Sequence, residues 1–294
     1  VVPATSITWS VDPGVGDVSS DAVYADDNGV AVSPTWTLGT VAGSNTLYAH
    51  VTANSSISAS FTATGIPAAI DESNSLITVS EAEVVAGTSH GTDITVTMRD
   101  VYDNVVTTAD GDVALSYSAG AIGSVTSNRN GTYSARFTSQ NLVAVATITG
   151  TYDEVDLPAT SITIIPDAAS QYLVTTNVSS LVAGDSITAS AQLADQFGNA
   201  VLQANRAVMW SATNGGAFTN NPSVTATDSS GIATAVFATG IRNDSSSDIT
   251  AVDILDASIT GTSPTFVTIS GGAAHIAVVS REIPETVAGT DVAE

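Results

Sequence analysis

The chain contains neither cysteine nor lysine, and each absence excludes a kind of chemistry. Without cysteine, no disulfide can stabilise the fold and no thiol is available as a reactive group. Without lysine, an isopeptide cross-link cannot form, because that bond needs a lysine amine. Charged residues make up only 12% of the chain, against about 25% in an average globular protein. Ser, Thr and Asn must therefore supply most of the polar surface.

Positive charge is also scarce, and the formal net charge is −23 at pH 7. Such a field repels phosphate backbones and anionic lipids, so nucleic acids and membrane surfaces are poor partners, whereas cations are attracted. No stretch approaches the roughly 20 apolar residues of a membrane span, and we expect no membrane insertion in this segment. The first ten residues, VVPATSITWS, lack the basic and apolar regions of a signal peptide. We expect the chain to be an interior part of a longer protein.

Three short sequence markers recur along the chain, and each returns after about 100 residues. Self-similarity at one fixed period indicates tandem domains. An apolar content of 43% is enough to give each domain a core. The markers are Val-Ala-Gly at 85–87, 182–184 and 287–289, Ala-Ala at 68–69, 168–169 and 273–274, and the glycines Gly29, Gly131 and Gly231.

The phase of the repeat predicts the domain boundaries. Trp9 in ITWSV matches Trp210 in VMWSA, so the chain begins partway through a repeat. We predict a domain that lacks its first strands at 1–67, complete domains at 68–167 and 168–272, and the leading strands of a further domain at 273–294.

Each repeat has the sequence pattern of β-structure throughout. Segments such as DITVTM and VAVATITG alternate or run apolar over four to eight residues and are rich in Val, Ile and Thr. Clusters of Gly, Asn, Asp and Ser separate them at the spacing typical of a β-sandwich. We therefore predict an all-β chain of tandem immunoglobulin-like β-sandwiches, arranged as a rod because the connections between domains are short. With few aromatic residues, Val, Ile, Leu and Ala must fill the cores.

One phrase occurs twice, as DVYDNVV at 100–106 and DQFGNAV at 195–201. In the second copy Gly198 and Asn199 suit a tight turn with positive φ. The first copy has Asp103 in place of the glycine, and we expect its turn to differ in detail. We interpret the phrase as a turn that sets strand register; the alternative is that Asp100, Asp103 and Asn104 bind a cation.

These phrases, the Val-Ala-Gly segments and WTLGTVAGSNTLYAHV at 36–51 resemble bacterial immunoglobulin-like domains of the invasin and intimin type. The resemblance covers essentially the whole chain and is weakest in the second domain. It implies an extracellular array of β-sandwiches, often a stalk that holds an adhesive tip away from a cell. The membrane barrel and lectin-like tip of that family have no counterpart here.

Acidic residues towards the ends of the two complete repeats are candidate calcium ligands. Carboxylates near a domain junction can share a cation and stiffen it. The competing interpretation is that these acids are solvated residues of an acidic surface. The candidates are Asp153, Glu154, Asp156, Asp167, Asp253 and Asp256.

Nothing in the sequence favours an enzyme. GTSHG at 87–91 matches the G-x-S-x-G hydrolase motif, but a strand-like segment follows it where that motif needs a helix. The three histidines His50, His90 and His275 fall in different repeats, so they cannot form a metal site or a catalytic triad within one domain.

Three functional classes remain. The first is a non-enzymatic stalk or spacer in a large bacterial surface or secreted adhesin-like protein, with neighbouring domains of the same chain as its partners. The second is a subunit of an extracellular filament or surface layer, joined to other copies by donor-strand exchange through 273–294. The third is a carbohydrate- or ligand-binding module, which would need an exposed aromatic platform.

Overall fold

The computed structural model describes residues 2–219, 223–242 and 245–271, and within these ranges all regular structure is β-strand. No helix in those ranges could cross a membrane. The chain divides into two compact units, residues 1–166 and 167–294. The first unit holds two sheet assemblies, here called the first and second domains, and the second unit holds the third domain.

The first domain is built on one four-stranded antiparallel sheet with the order β3-β1-β5-β6, beside a two-stranded β2-β4 ribbon. A long hairpin joins β5 and β6 and places Leu47 opposite Phe61. The core is small and consists of Trp9, Val18, Leu47 and Ala49. The strands are β1 (Ser6–Val11), β2 (Gly16–Val18), β3 (Ala22–Tyr24), β4 (Trp36–Leu38), β5 (Gly43–Val51) and β6 (Asn54–Gly65).

The second domain is a complete sandwich of two sheets, ordered β10-β14-β15-β8 and β11-β13-β9-β7, with β12 paired to β13. Strict alternation in β9 and β13 turns every second side chain inward, which buries Ile94, Val96 and Phe137. The strands are β7 (Leu76–Val79), β8 (Glu83–Val85), β9 (Gly91–Thr97), β10 (Val113–Tyr117), β11 (Ala121–Ile122), β12 (Thr126–Ser127), β13 (Thr132–Thr138), β14 (Ala144–Tyr152) and β15 (Val155–Ile165).

The third domain repeats this plan. Its strand order is β20-β22-β18-β16-β25-β24-β19-β21, in which the two halves meet only at the pair Gln171–Thr260, and a three-stranded β17-β26-β23 sheet completes it. The strands are β16 (Gln171–Thr176), β17 (Ser180–Val182), β18 (Ser186–Ala194), β19 (Ala207–Ala212), β20 (Gly216–Phe218), β21 (Val224–Ala226), β22 (Ile232–Thr239), β23 (Ser245–Ser247), β24 (Ile249–Asp253), β25 (Thr260–Thr262) and β26 (Phe266–Ile269).

The first two Val-Ala-Gly markers have a shared structural role. In each case the valine ends a short strand that pairs in parallel with the last strand of the same domain, and the alanine N–H donates to a backbone oxygen of that strand. The marker segment therefore closes one edge of its sandwich. The pairs are Val85 with Ile165 and Val182 with Ile269, and the bonds are Ala86 N–H to Ile165 O at 2.8 Å and Ala183 N–H to Ile269 O at 2.9 Å.

The predicted all-β, immunoglobulin-like fold is confirmed, and so is the aliphatic character of the cores. Ile, Leu, Val and Ala make up most of the buried cluster of the third domain, and few aromatic rings join them. The matched residues Trp9 and Trp210 are both buried core residues. They differ in one respect, since the Trp210 indole donates to Thr225 Oγ1 at 2.8 Å and the Trp9 indole has no hydrogen-bond partner in the described residues.

Phe237 offers a test of the third core. Its side chain is buried, with ring centroids 5.1 Å from Phe218 and 6.2 Å from Phe266. We expect Phe237→Ala to lower the free energy of unfolding by about 3–5 kcal/mol, because it leaves a cavity. Val236 directly precedes Phe237 in β22 and faces outward. Val236→Ala should therefore lower the free energy of unfolding by less than about 1 kcal/mol. Urea denaturation followed by circular dichroism measures both, and equal losses would contradict this core assignment.

Candidate functional site

The first copy of the repeated phrase forms a hydrogen-bonded cluster around the buried carboxylate of Asp100. Asp100 Oδ1 accepts the backbone N–H groups of Tyr102 and Asn104, both at 2.9 Å. Asp100 Oδ2 accepts Asn104 Nδ2 at 2.9 Å and the backbone N–H of Ala68 at 2.8 Å. We call Asp100 and Asn104 the first clamp.

The second copy repeats this geometry with Asp195 and Asn199, the second clamp. Asp195 Oδ1 accepts the N–H groups of Phe197 and Asn199, both at 2.9 Å. Asp195 Oδ2 accepts Asn199 Nδ2 at 2.8 Å and the N–H of Asp167 at 3.0 Å. The predicted turn role of the phrase is therefore only part of what it does.

The two turns have the same conformation, so the expected difference between them is wrong. Asp103 has φ of 70° and Gly198 has φ of 86°, which are both in the left-handed region. Aspartate tolerates this region better than most residues. Arg99 also holds Asp103 in place, since its Nη1 lies 2.9 Å from the carboxylate and 2.8 Å from the backbone oxygen.

Each clamp holds the segment that enters its domain. Ala68 follows Pro67 and Asp167 follows Pro166. Proline has a fixed φ and no N–H. The first backbone N–H donor of the entering segment therefore belongs to the residue after the proline. The buried carboxylate binds that donor and fixes the direction in which the chain enters the sandwich.

The first clamp also contacts the first domain directly. Asn104 Nδ2 donates to Thr40 O at 2.8 Å, and Asn104 Oδ1 accepts the N–H of Ala42 at 2.8 Å. The same amide group bonds Asp100. One side chain, with its donors and acceptor all engaged, therefore links two consecutive sandwiches and the buried carboxylate.

The clamps keep their carboxylates ionised. Burial of Asp100 opposes its charge, but the hydrogen bonds from Asn104, Ala68 and Tyr102 outweigh burial and lower its pKa to about 2. Burial and the equivalent donors act on Asp195 in the same way, and its pKa is also lowered. The ionised form is the one that accepts these hydrogen bonds, so the clamp is complete at neutral pH.

Three predicted calcium ligands lie at the β14–β15 hairpin. Asp153 and Glu154 occupy its turn with φ of 45° and 71°. Asp153 Oδ1 accepts the N–H of Asp112 at 2.8 Å, so one carboxylate oxygen holds the neighbouring loop. Asp156 is exposed in β15. Asp153 therefore has a structural role in this hairpin, which the sequence alone did not indicate.

The other three predicted ligands lie in the second unit, each with hydrogen-bond partners of its own. Asp167 Oδ2 accepts Gln196 Nε2 at 2.9 Å, and Asp256 Oδ1 accepts the N–H of Ser258 at 3.1 Å. The contacts of Asp253 are the strongest of the three. Its buried carboxylate is paired with Arg206 Nε at 2.7 Å and accepts the Tyr172 hydroxyl at 3.1 Å.

The pKa of Asp253 reflects these contacts. Burial raises it, but bonds from Arg206 and from the backbone outweigh burial, and the pKa is lowered. Burial and the Asp253 charge together raise the pKa of the Tyr172 hydroxyl to about 12. In residues 2–219, 223–242 and 245–271, no three His, Cys, Asp or Glu side chains are grouped as metal ligands. Calcium binding by the six acids stays a prediction.

The hydrolase-like GTSHG segment does not form a nucleophile elbow. Strand β9 starts at Gly91 directly after it, and no helix follows. His50 is half-buried in β5 and His90 is exposed in a loop, while His275 lies outside the described residues. The two described histidines, His50 and His90, therefore lie in different domains.

The sequence alone did not predict that Asp100 binds the entering segment or that Asn104 binds the first domain, because both contacts join residues far apart in the chain. Asp100 bonds an N–H group 32 residues earlier in the chain, and Asn104 bonds backbone groups more than 60 residues earlier. Two sequence features could have indicated these contacts. They are the constant spacing of Asp and Asn in both phrases and the Ile-Pro pair that precedes each complete repeat.

Comparison with known families supports the resemblance found in the sequence. Residues 71–167 match the family model of domain 3 of invasin. The match covers 97 of the 294 residues and corresponds to the second domain. The second domain is therefore similar to domain 3 of invasin, and the predicted resemblance is confirmed there, although the sequence analysis expected it to be weakest in this domain. No curated protein matches the chain.

Several solved adhesin structures are similar to the chain. The Escherichia coli adhesin FdeC is 15% identical, with 92% of this chain and 88% of that chain covered and a TM-score of 0.49. Yersinia pseudotuberculosis InvD is 19% identical, with 92% and 89% covered and a TM-score of 0.45. Invasin, described as a bacterial integrin-binding protein, is 18% identical, with 92% and 54% covered and a TM-score of 0.45.

The lowered pKa of Asp100 predicts a pH dependence. The folded pKa of about 2 lies below the ordinary value of 3.8, so the clamp stabilises the fold fully above that value. This stabilisation is lost as pH falls through about 2. We expect Asp100→Asn to destabilise the protein at neutral pH, because the amide cannot accept every donor around it.

Urea denaturation at a series of pH values measures this effect. The difference between Asp100→Asn and the unmodified chain should shrink as pH falls from 3.8 to about 2. Asp103→Asn is the control, since Asp103 is exposed and its ion pair with Arg99 contributes little. A difference that does not change with pH would show that the charge of Asp100 is unimportant.

Proposed function

We propose that this segment is a non-enzymatic stalk or spacer in a large bacterial surface or secreted adhesin-like protein. The family match of the second domain supports the adhesin-like class. The single observation that supports the spacer role is the pair of hydrogen bonds between the Asn104 side chain and the first domain. A spacer can hold the domain at its end at a fixed distance only if its consecutive domains keep a fixed orientation.

The contacts at this junction resist bending. Pro67 limits the rotation of the connecting segment, Asp100 binds the next N–H group at Ala68, and Asn104 holds Thr40 and Ala42. A bend that separates the two sandwiches must break at least the two Asn104 bonds, each with a net value of about 0.5–1.5 kcal/mol. The first and second domains would therefore move largely as one body.

Composition fits the same role. The net charge of −23 makes neighbouring copies repel one another, which favours extended chains on a crowded surface. Solvent-facing strand positions carry Ser and Thr, as in β5 and β6. We therefore place the protein outside the cell or at its surface, with the adjoining domains of its own chain as its main partners.

Asn104→Ala tests the spacer function at its central contact. The substitution removes both bonds to the first domain, and the backbone N–H of Asn104 can still bond Asp100. We expect both domains to stay folded while their relative orientation becomes variable. The chain has no cysteine, so spin labels can be placed at Val32→Cys and Val145→Cys, two exposed positions in the first and second domains.

Double electron–electron resonance between the labels gives the distribution of distances. Asn104→Ala should broaden this distribution, with unchanged circular dichroism. Asn54→Ala is the matched control, because Asn54 bonds only within its own hairpin, to Ser56. A distribution as narrow in Asn104→Ala as in the control would overturn the role of Asn104 as a stiffening contact.

A further inference from the structure

One strand of the leading segment of the second domain pairs with the strand by which the chain leaves that domain. β8 runs parallel to the last three residues of β15. The bonds at the two ends of this pair are Thr163 N–H to Ala82 O and Ala86 N–H to Ile165 O, both at 2.8 Å. Pro166 follows Ile165 directly, so the pair joins the leading segment of the domain to its exit.

The chain enters and leaves the second domain at opposite ends. At the entry, Ala68 bonds Asp100, which follows β9. The β14–β15 hairpin lies at the same end, because Gly111 accepts the hydroxyl of Tyr133, beside the end of β9, and donates its N–H to the hydroxyl of Tyr152 at the end of β14. From this hairpin β15 runs for eleven residues, about 35 Å. The exit therefore lies at the other end of the domain.

A pull on these two ends loads the β8–β15 pair in shear. The leading segment runs from the entry towards the exit, first as β7 beside β9 and then as β8 beside β15. Tension on the chain draws β8 back towards the entry, while it draws β15 outwards at the exit. The two strands are pulled in opposite directions along their own axes, so all hydrogen bonds between them carry the load at once. A hairpin that is pulled apart from one end breaks its bonds one after another instead.

Side chains beneath the pair resist sliding as well. Val84 and Ile164 lie opposite one another and are 6% and 2% exposed, and Ala86 is fully buried. Because side chains alternate between the two faces of a strand, a slip by one residue turns this buried set towards solvent. Sliding must therefore expose apolar surface at the same time as it breaks hydrogen bonds.

The third domain has the same kind of pair. β17 runs parallel to β26, where Val267 N–H donates to Ser179 O at 3.0 Å and Ala183 N–H donates to Ile269 O at 2.9 Å. Leu181, in the middle of β17, is buried. In both domains the leading strand of the pair carries the Val-Ala-Gly segment, so the arrangement belongs to the repeat.

We propose that the pairing of the Val-Ala-Gly strand with the last strand of its domain is a force-bearing latch, through which the second and third domains carry a pulling load without unfolding. The latch consists of β8 with residues 163–165 in the second domain, and of β17 with residues 267–269 in the third. This role rests on the proposed stalk function, since a stalk between a cell and an attached object is under tension.

Optical tweezers can load the second domain in two directions within the full chain. Because the chain has no cysteine, DNA handles can be attached at pairs of introduced cysteines. Ile66→Cys and Ala168→Cys, at exposed positions next to the entry and the exit, pull the latch in shear. Val145→Cys and Ala168→Cys peel β15 from β14 at one end, since Val145 is exposed and lies opposite Thr163. We expect the unfolding force to be several times higher in the shear geometry.

Ala86→Pro tests the latch itself, because it removes the N–H that bonds Ile165. We expect this variant to lose most of the difference in unfolding force between the two geometries. Circular dichroism must first show that the variant is folded, since Ala86 is buried. The comparison of the two geometries needs no substitution in the latch, so it tests the proposal even where this variant does not fold.

Glu83→Pro is the matched control within β8. Alternate residues of a strand bond the same neighbour in a parallel pair, so the N–H of Glu83 points away from β15, and Glu83 is exposed. A proline whose N–H would face solvent is tolerated in an edge strand. This variant should keep the difference between the two geometries.

Equal unfolding forces in the two geometries would overturn the proposal. A folded Ala86→Pro chain with the same shear force as Glu83→Pro would overturn it as well. Neither result bears on the spacer function, which is tested by the distances between the spin labels. A broad distance distribution in the chain with an intact Asn104, together with a high shear force, would remove the spacer function and support the latch as a property of single domains.

Discussion

The buried carboxylate of Asp100, with its copy Asp195, is the interaction on which the order of this chain depends. Each binds four donor groups, which are two backbone N–H groups of its own turn, the side-chain amide of the asparagine four residues later, and one N–H of the segment that enters the domain. A buried charge is costly unless its lone pairs are satisfied. The turn, the linker and the sandwich edge must therefore be in place together.

This requirement explains why the phrase is repeated while the residues within it vary. The aspartate and asparagine side chains make the hydrogen bonds, so both are present in each copy. Tyr102 and Phe197 contribute only backbone N–H groups, which many side chains allow. Asp103 and Gly198 need only a positive φ. The first copy uses its asparagine for one further purpose, the contact with Thr40 and Ala42.

Much of the fold could be predicted from the sequence because strand periodicity and the repeat are local signals. The alternating run at 91–97 is a strand, and the matched Trp9 and Trp210 are buried core residues. The junction could not be predicted, since the bonds of Asp100 and Asn104 join residues far apart in the chain. Asp103 was expected to change its turn, but the surrounding bonds impose the same conformation on aspartate and glycine.

The leading segment of a complete repeat has two structural roles at once. Its Val-Ala-Gly strand closes the sheet edge of its own domain, and its Asp-Asn turn binds the entering chain. In the second domain the Val-Ala-Gly strand completes the sandwich and Asn104 bonds Thr40 and Ala42 of the first domain, so one leading segment both closes its own sheet edge and contacts the preceding domain.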